Sequence, residues 1–416
     1  MKVRLENFVP YDQSLQWTLH ADYFKAKGRS AWTDNIIPYA ATNNAPLARQ
    51  HIHILFRLIK ELEEAEKIDA SEGIAILEVG AGSGQFSIQI FEALAHDFGD
   101  AGRRLRERIT WFLSDFSEKT LQEATESKHV ASLVAEGRVV PALYDASGRE
   151  PMRRLDGQTL QGQVIAVVAS YLGCVLPFRY FRKQDNHWTE CWASLSAEIE
   201  GNDLDAQTVL DSIRGGITSP VWSQLSLELD WRPVTLEDAF DDPTHARVIN
   251  DATEAMDEST VGYPTVLFDA LVRWKKLLVD GGLVFLSDLG KHSSLSLAGH
   301  EDPNPTIYGN TLNHSVCFAL LEPLARHSNF GLLRTVDALG QLQQAICKHG
   351  PPLSQGLEDT FRTWYVESTE HQDLLDFEKA GRDAYENSDY RRSMRLYRKC
   401  LALSPRDPDL YYGLGR

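Results

Sequence analysis

From about residue 74 the chain alternates short apolar runs with longer stretches whose apolar residues recur at helical spacing, which is the pattern of a parallel α/β sheet. The short runs predict strands at Ile74–Val79, Ile109–Ser114, Arg138–Leu143, Val164–Ser170 and Leu283–Ser287. Phe86–Leu94, Ser117–Ser127 and Pro264–Leu278 predict helices between or before them, and Gly281-Gly282 makes the turn into the last strand. Five such strands with their helices form most of a doubly wound Rossmann-like sheet, which binds ligands at the C-terminal ends of its strands.

Two regions lie outside that minimal core. Residues 1–70 contain the stretch Trp32 to Asn44 and a predicted helix at Leu47–Ala65, and are expected to form a helical or lid segment. Residues 178–262 are an insertion between the fourth strand and the helix before the fifth, expected to be helical and aromatic. It carries Trp188, Trp192, Trp222 and Trp231 and the acidic stretch Glu237 to Asp242. An insertion at the strand C-terminal edge is where a substrate cap would sit, although aromatics packing a small subdomain give the same composition. The α/β domain is thus expected to span 71–350. Residues 370–416 change character again. Gly381, Tyr397 and Pro405 fall at positions resembling a tetratricopeptide (TPR) helix pair, with Ser393 and Cys400 at its small positions, and Gly415 lies one 34-residue period after Gly381. Stacked repeats bury one another's apolar faces, so this spacing predicts further repeats beyond residue 416; the alternative is a lone helical hairpin packed on the α/β domain.

The candidate chemistry begins at the first strand. Ile74 to Glu78 run into Gly80, Gly82 and Gly84, a turn that lets backbone approach a ligand ahead of the free N–H groups of a helix N-terminus. Alone, G-x-G-x-G is weak and also suits dinucleotide-binding folds. Here Glu78 precedes the glycines and no third glycine follows at the dinucleotide spacing. The combination resembles motif I of class I S-adenosylmethionine (SAM) methyltransferases. That resemblance implies SAM as cofactor, held by Glu78, Gly80, Gly82, Gly84 and Gln85, with Asp115 on the ribose hydroxyls beside Phe116. Asp145-Ala146 would lie beside the adenine amino group and Ser170 at the end of the fourth strand. A carboxylate suits a ribose diol because its two oxygens accept two O–H donors. Each acid alone could equally be a helix cap or a solvated turn residue.

Further stretches resemble the bacterial MidA-like proteins and the mitochondrial complex I assembly-factor methyltransferases, over roughly residues 20–350. They are Ala169 to Pro177 with His187 to Glu190, Ser287-Asp288-Leu289-Gly290, Gly309 to His314 and Ala338 to Gln341. The resemblance implies protein-arginine methylation for the mitochondrial members, a reaction that needs carboxylates to orient a guanidinium. This chain has Ser170, Tyr171 and Cys174 where that branch carries Asn-Glu and a following Asp, so the acid must come from elsewhere. Asp288 is the expected substitute, with Glu301 or Asp302 behind it. Tyr171 is expected to line the methyl channel or orient a substrate, or else to pack over the cofactor. Arg49 and the Tyr39–Asn44 loop are placed to close over SAM or substrate.

Composition narrows the partners. The formal net charge of −17 over 416 residues argues against binding a nucleic-acid backbone and is compatible with a cationic peptide. Five scattered cysteines without a C-x-x-C pair fit a reducing compartment, and no apolar run reaches membrane-spanning length, so a cytoplasmic protein is expected. His292, His300 and His314 lack fixed ligand spacing, and His51 and His53 sit within the Leu47–Ala65 helix, so no metal site is expected. The leading expectation is a SAM-dependent methyltransferase of a protein or peptide side chain. The alternatives are a small-molecule methyltransferase and a non-catalytic scaffold whose repeats bind a partner. Oligomeric state is left open.

Overall fold

The structure is a computed structural model that describes residues 2–34, 36–38, 41–148, 150–157, 163–198, 205–336 and 342–415. The elements that build the site, in chain order, are α1 (Leu15–Lys27), α2 (Ala45–Glu64), β1 (Ile74–Val79), α3 (Gln85–His96), β2 (Ile109–Asp115), α4 (Glu118–Glu126), β3 (Val139–Leu143), β4 (Val164–Ser170), α5 (Thr265–Trp274), β5 (Leu278–Lys291), β6 (Phe330–Arg334) and β7 (Leu342–His349). After a short helix at Gln355–Phe361 and a π-helical stretch at Arg362–Glu367 come α6 (Glu370–Glu386), α7 (Tyr390–Leu403) and α8 (Pro408–Gly415).

The large sheet runs β6-β7-β5-β4-β1-β2-β3, with β1 to β5 parallel and β7 antiparallel to both β5 and β6. A dinucleotide-binding sheet places its sixth strand directly beside the fifth; here an antiparallel strand is inserted between them. β4 reads Val-Ile-Ala-Val-Val-Ala because it is central, with both faces covered, so every one of those side chains is buried. α2 and α3 cover one face through Ile52, Leu55, Phe86 and Ile90, while Phe268, Leu271 and Trp274 of α5 cover the other. The register aligns Val79 with Ser114 and Ala169, and Ser170 with Ser287. The ends of β1, β2, β4 and the middle of β5 therefore share one edge, where the predicted ligand residues fall.

The insertion departs from expectation. Helices occur in it at Ala206–Gly215 and Pro243–Ala252, but its frame is antiparallel sheet: Arg179–Gln184, His187–Glu198, Leu225–Val234 and Glu258–Tyr263. The reason is a two-residue alternation of residue type, with apolar Cys191, Ala193, Leu195 and Ala197 separated by Trp192, Ser194 and Ser196. The N-terminal segment adds to the same sheet, since Lys2–Arg4 and Val9–Pro10 both pair with His187–Glu198 before α1 begins. Strands of three and two residues are too short to carry a periodicity.

At the C-terminus α6 and α7 pack as a helical hairpin, and Tyr397 is wedged between Gly381 and Gly413. This hairpin is docked on the α/β domain. Arg49 of α2 donates to Glu370 and to the Leu403 carbonyl, each at 2.9 Å, and Arg406 meets Asp97 at 2.8 Å. His371 Nε2 donates to the Ala41 carbonyl at 2.6 Å. Among the described residues no helix is long and apolar enough to cross a membrane.

Arg49→Ala removes two charge-assisted hydrogen bonds at the hairpin interface and is expected to cost about 1–3 kcal/mol. Hydrogen exchange should show faster opening of α6 to α8 than in the wild type; unchanged protection there would show that Arg49 does not hold the hairpin.

Candidate functional site

β1 delivers its chain into the glycine turn with Gly80, Gly82 and Gly84 all at positive φ, 71°, 53° and 72°. Such angles are unfavourable for side chains other than glycine's. Space is tight at Gly82 as well: a Cβ there would lie 2.9 Å from two carbons of the Trp32 indole, which would have to shift. The turn is fastened from below, because the Ala81 N–H donates to the Ser114 carbonyl at 2.8 Å and the Gly82 N–H donates to Asp115 Oδ2 at 3.1 Å. Asp115 Oδ1 accepts from the Ser117 N–H at 2.9 Å. Glu78 lies behind the turn, its Oε2 accepting the Trp111 indole N–H at 2.7 Å.

Burial dominates the electrostatics of these acids. Desolvation pushes Glu78 up to about 8 against the lowering hydrogen bond from Trp111, so its carboxyl is largely protonated at neutral pH. Asp115 is raised to about 6 by burial, partly offset by the N–H groups of Ser117 and Gly82. Buried acids with displaced pKa values beside a cavity are a common mark of a ligand site.

One cavity, of about 80 Å³, gathers Glu78, Gly80, Gly82, Asp115, Phe116, Ser170 and Tyr171. Its opposite wall is Phe24, Trp32, Ile37, Pro38, Thr42 and Asn43 from the N-terminal segment. Ser170 Oγ is buried and has no hydrogen-bond partner among the described residues, so it is available to a ligand polar group. Tyr171 holds a left-handed backbone (φ 55°), and its N–H donates to the Ser287 carbonyl at 2.8 Å. Burial, then the neighbouring Cys174 and Asp288, keep the Tyr171 phenol protonated well beyond its ordinary range.

The other predicted residues lie elsewhere. Asp288 is 4% exposed and does not line the cavity. Its Oδ2 accepts the Cys174 N–H at 3.1 Å and its Oδ1 the Leu289 N–H at 2.8 Å, so it pins the turn that carries Tyr171. Gly84 is packed against Val130, Leu113 and Ala124 beneath the turn. Gln85 faces a separate groove shared with the C-terminal hairpin. Asp145 is exposed and accepts the N–H and hydroxyl of Ser147 at 2.8 and 2.6 Å, the behaviour of a turn residue. Ala146 is buried and gives its carbonyl to Arg273. Arg49 turns to the hairpin, whereas Thr42 and Asn43 of the expected closing loop do line the cavity; Tyr39, Ala40 and Ala338 to Gln341 lie outside the described residues. Phe24 and Trp32 were not predicted as lining residues, and the only local signal was a Trp opening the stretch before Asn44.

No protein-family model matches the chain, and no curated protein matches it in sequence. Among solved structures, a protein from Burkholderia thailandensis considered a methyl transferase, bound to S-adenosyl-homocysteine, superposes with a TM-score of 0.50 at 15% identity, covering 84% of this chain and 90% of that one. An uncharacterized protein from the same organism matches over the same shares at 15% identity with a TM-score of 0.47. The fold is therefore the Rossmann-like α/β fold of the first of these structures.

Glu78 sets a pH test. Folded, it keeps its proton to about pH 8, whereas a free Glu releases it near 4.5, so the folded state binds more protons between these limits. Stability contributed by the neutral carboxyl is present below pH 4.5 and lost as pH rises through 8. Urea unfolding at pH 5 and pH 8 should show a smaller loss in Glu78→Gln than in the wild type; equal losses would mean that Glu78 is already ionised at neutral pH.

Proposed function

We propose that the chain is a SAM-dependent methyltransferase. The observation that carries this is the single cavity formed by the positive-φ glycine turn, the buried Asp115 carboxylate and the unpartnered Ser170 hydroxyl at three adjacent strand ends. These groups fit an adenosyl ligand: backbone that can be approached closely, an acceptor pair for a diol, and a free hydroxyl. The Gly80–Gly84 turn, Asp115 and Phe116 would hold the cofactor, which supplies an electrophilic methyl group on a sulfonium. Tyr171, at the cavity wall and protonated, is the residue to orient an acceptor through its hydroxyl. Asp288 acts through it by fixing the turn. What the protein contributes is alignment and exclusion of water.

The finer reading is a cytoplasmic member of the MidA-like branch whose C-terminal hairpin is a TPR unit and whose acceptor is a protein or peptide side chain. The layout of the turn after β4 and the net charge of −17 support it, since an acidic surface favours a cationic segment. A small-molecule acceptor is the second reading, favoured by a further cavity of about 260 Å³ between the insertion and the end of β5, lined by Tyr180, Lys291 and His314.

Calorimetric titration with SAM and S-adenosylhomocysteine tests the first reading. Binding of either is expected, abolished in Gly82→Arg and weakened about tenfold to a hundredfold in Asp115→Ala, the loss of hydrogen bonds to a charged acceptor. No binding of either by the wild type would overturn the assignment. Methyl-labelled SAM incubated with cell extract then separates the acceptors: label in the macromolecular fraction supports the protein reading, and label confined to small solutes supports the second.

A further inference from the structure

The cavity that holds the ligand groups is too small for the ligand they suit. Its 80 Å³ compares with roughly 300–1,000 Å³ for small-molecule sites. One side chain in its wall lies directly over the glycine turn. The Trp32 indole lies on Gly82, so close that a Cβ there would be 2.9 Å from the ring, and so covers the backbone that a ligand must approach.

The backbone bearing Trp32 is fixed. α1 ends at Gly28 (φ 62°), the Arg29 N–H donates to Glu123 Oε2 on α4 at 2.8 Å, and Ser30 Oγ donates to the Lys27 carbonyl at 2.7 Å. The Trp32 N–H donates to the Arg29 carbonyl at 3.1 Å. The indole is held less firmly, half-buried and stacked on Phe24 with centroids 5.5 Å apart and planes 27° apart. On the far side of the cavity, Gly82 and Asp115 belong to the sheet and its turn and cannot withdraw. At this contact the group that can turn about its own side-chain torsions is the Trp32 indole.

We propose that Trp32 is a gate for the cofactor: its indole closes the cavity over Gly82 and rotates away about its side-chain torsions to admit an adenosyl ligand. This rests on the cofactor reading above. A closed majority lowers the apparent affinity by the fraction of molecules that are open, and makes opening a step that binding must await.

Stopped-flow mixing with S-adenosylhomocysteine, read by tryptophan fluorescence, tests it. In the wild type the observed rate should level off at high ligand concentration, and the fluorescence change should shrink in Trp32→Phe. Trp32→Ala, followed by calorimetry and by competition kinetics, should bind about tenfold faster or more, as expected when a closed form is removed. A wild-type rate that rises linearly throughout, or a Trp32→Ala protein with an unchanged association rate and weaker binding, would overturn the gate and make Trp32 a plain wall of the site. If neither wild type nor Trp32→Ala binds the ligand, the cofactor reading itself fails. If Trp32→Ala does not fold, the concentration dependence of the wild type and the Trp32→Phe signal still decide.

Discussion

Everything at the site turns on the close approach at Gly82. Its N–H is taken by Asp115 from the neighbouring strand, and its other side lies against the Trp32 ring. Only a residue without a side chain, at positive φ, satisfies both at once. The hydrogen bond ties the turn after β1 to the end of β2, and so sets two ligand groups, backbone and carboxylate, at a fixed separation before any ligand arrives. Preorganisation of this kind spares a binding site the cost of ordering itself.

Three acids converge on this edge of the sheet, and the fold treats each differently. Glu78 lines the cavity but is neutralised by burial and bonded to the Trp111 indole; Asp115 lines it too, buried but satisfied by two N–H groups. Asp288 is turned away and spent on the Cys174 N–H, which supports the strained backbone at Tyr171. A left-handed non-glycine residue persists only where its surroundings hold it, and such positions concentrate at functional sites. The segment after β4 thus gives the cavity wall a hydroxyl and a phenol, from Ser170 and Tyr171.

The two ends of the chain are both recruited to the site's surroundings. Lys2–Arg4 and Val9–Pro10 extend the sheet of the insertion, while α1 and the turn after it bring Phe24 and Trp32 over the glycines. From the other end, His371 holds the Ala41 carbonyl one residue from Thr42 in the cavity wall, and Arg49 links α2 to α7. The cavity is therefore walled by segments far apart in sequence, and one of them, the loop before α2, is hydrogen-bonded to α6.

The strands β1 to β5, the glycine turn and Asp115 were legible in the sequence because their signals are local: a buried parallel strand is a run of apolar residues, and a tight turn writes its φ angles as glycines. β6 and β7 went unseen because Leu342–His349 mixes Gln, Lys and His with its apolar residues and takes its place only by pairing with β5. Asp145 shows the limit at a single residue. An acid after a strand can serve a ligand or its own turn, and the sequence does not show that Asp145 bonds to Ser147. Trp32 on Gly82 and Arg49 on Leu403 join residues dozens to hundreds of positions apart. Local sequence fixes the conformations available to each segment, but which segments meet is decided by how much apolar surface the whole chain can bury together, and that is a property of the tertiary structure alone.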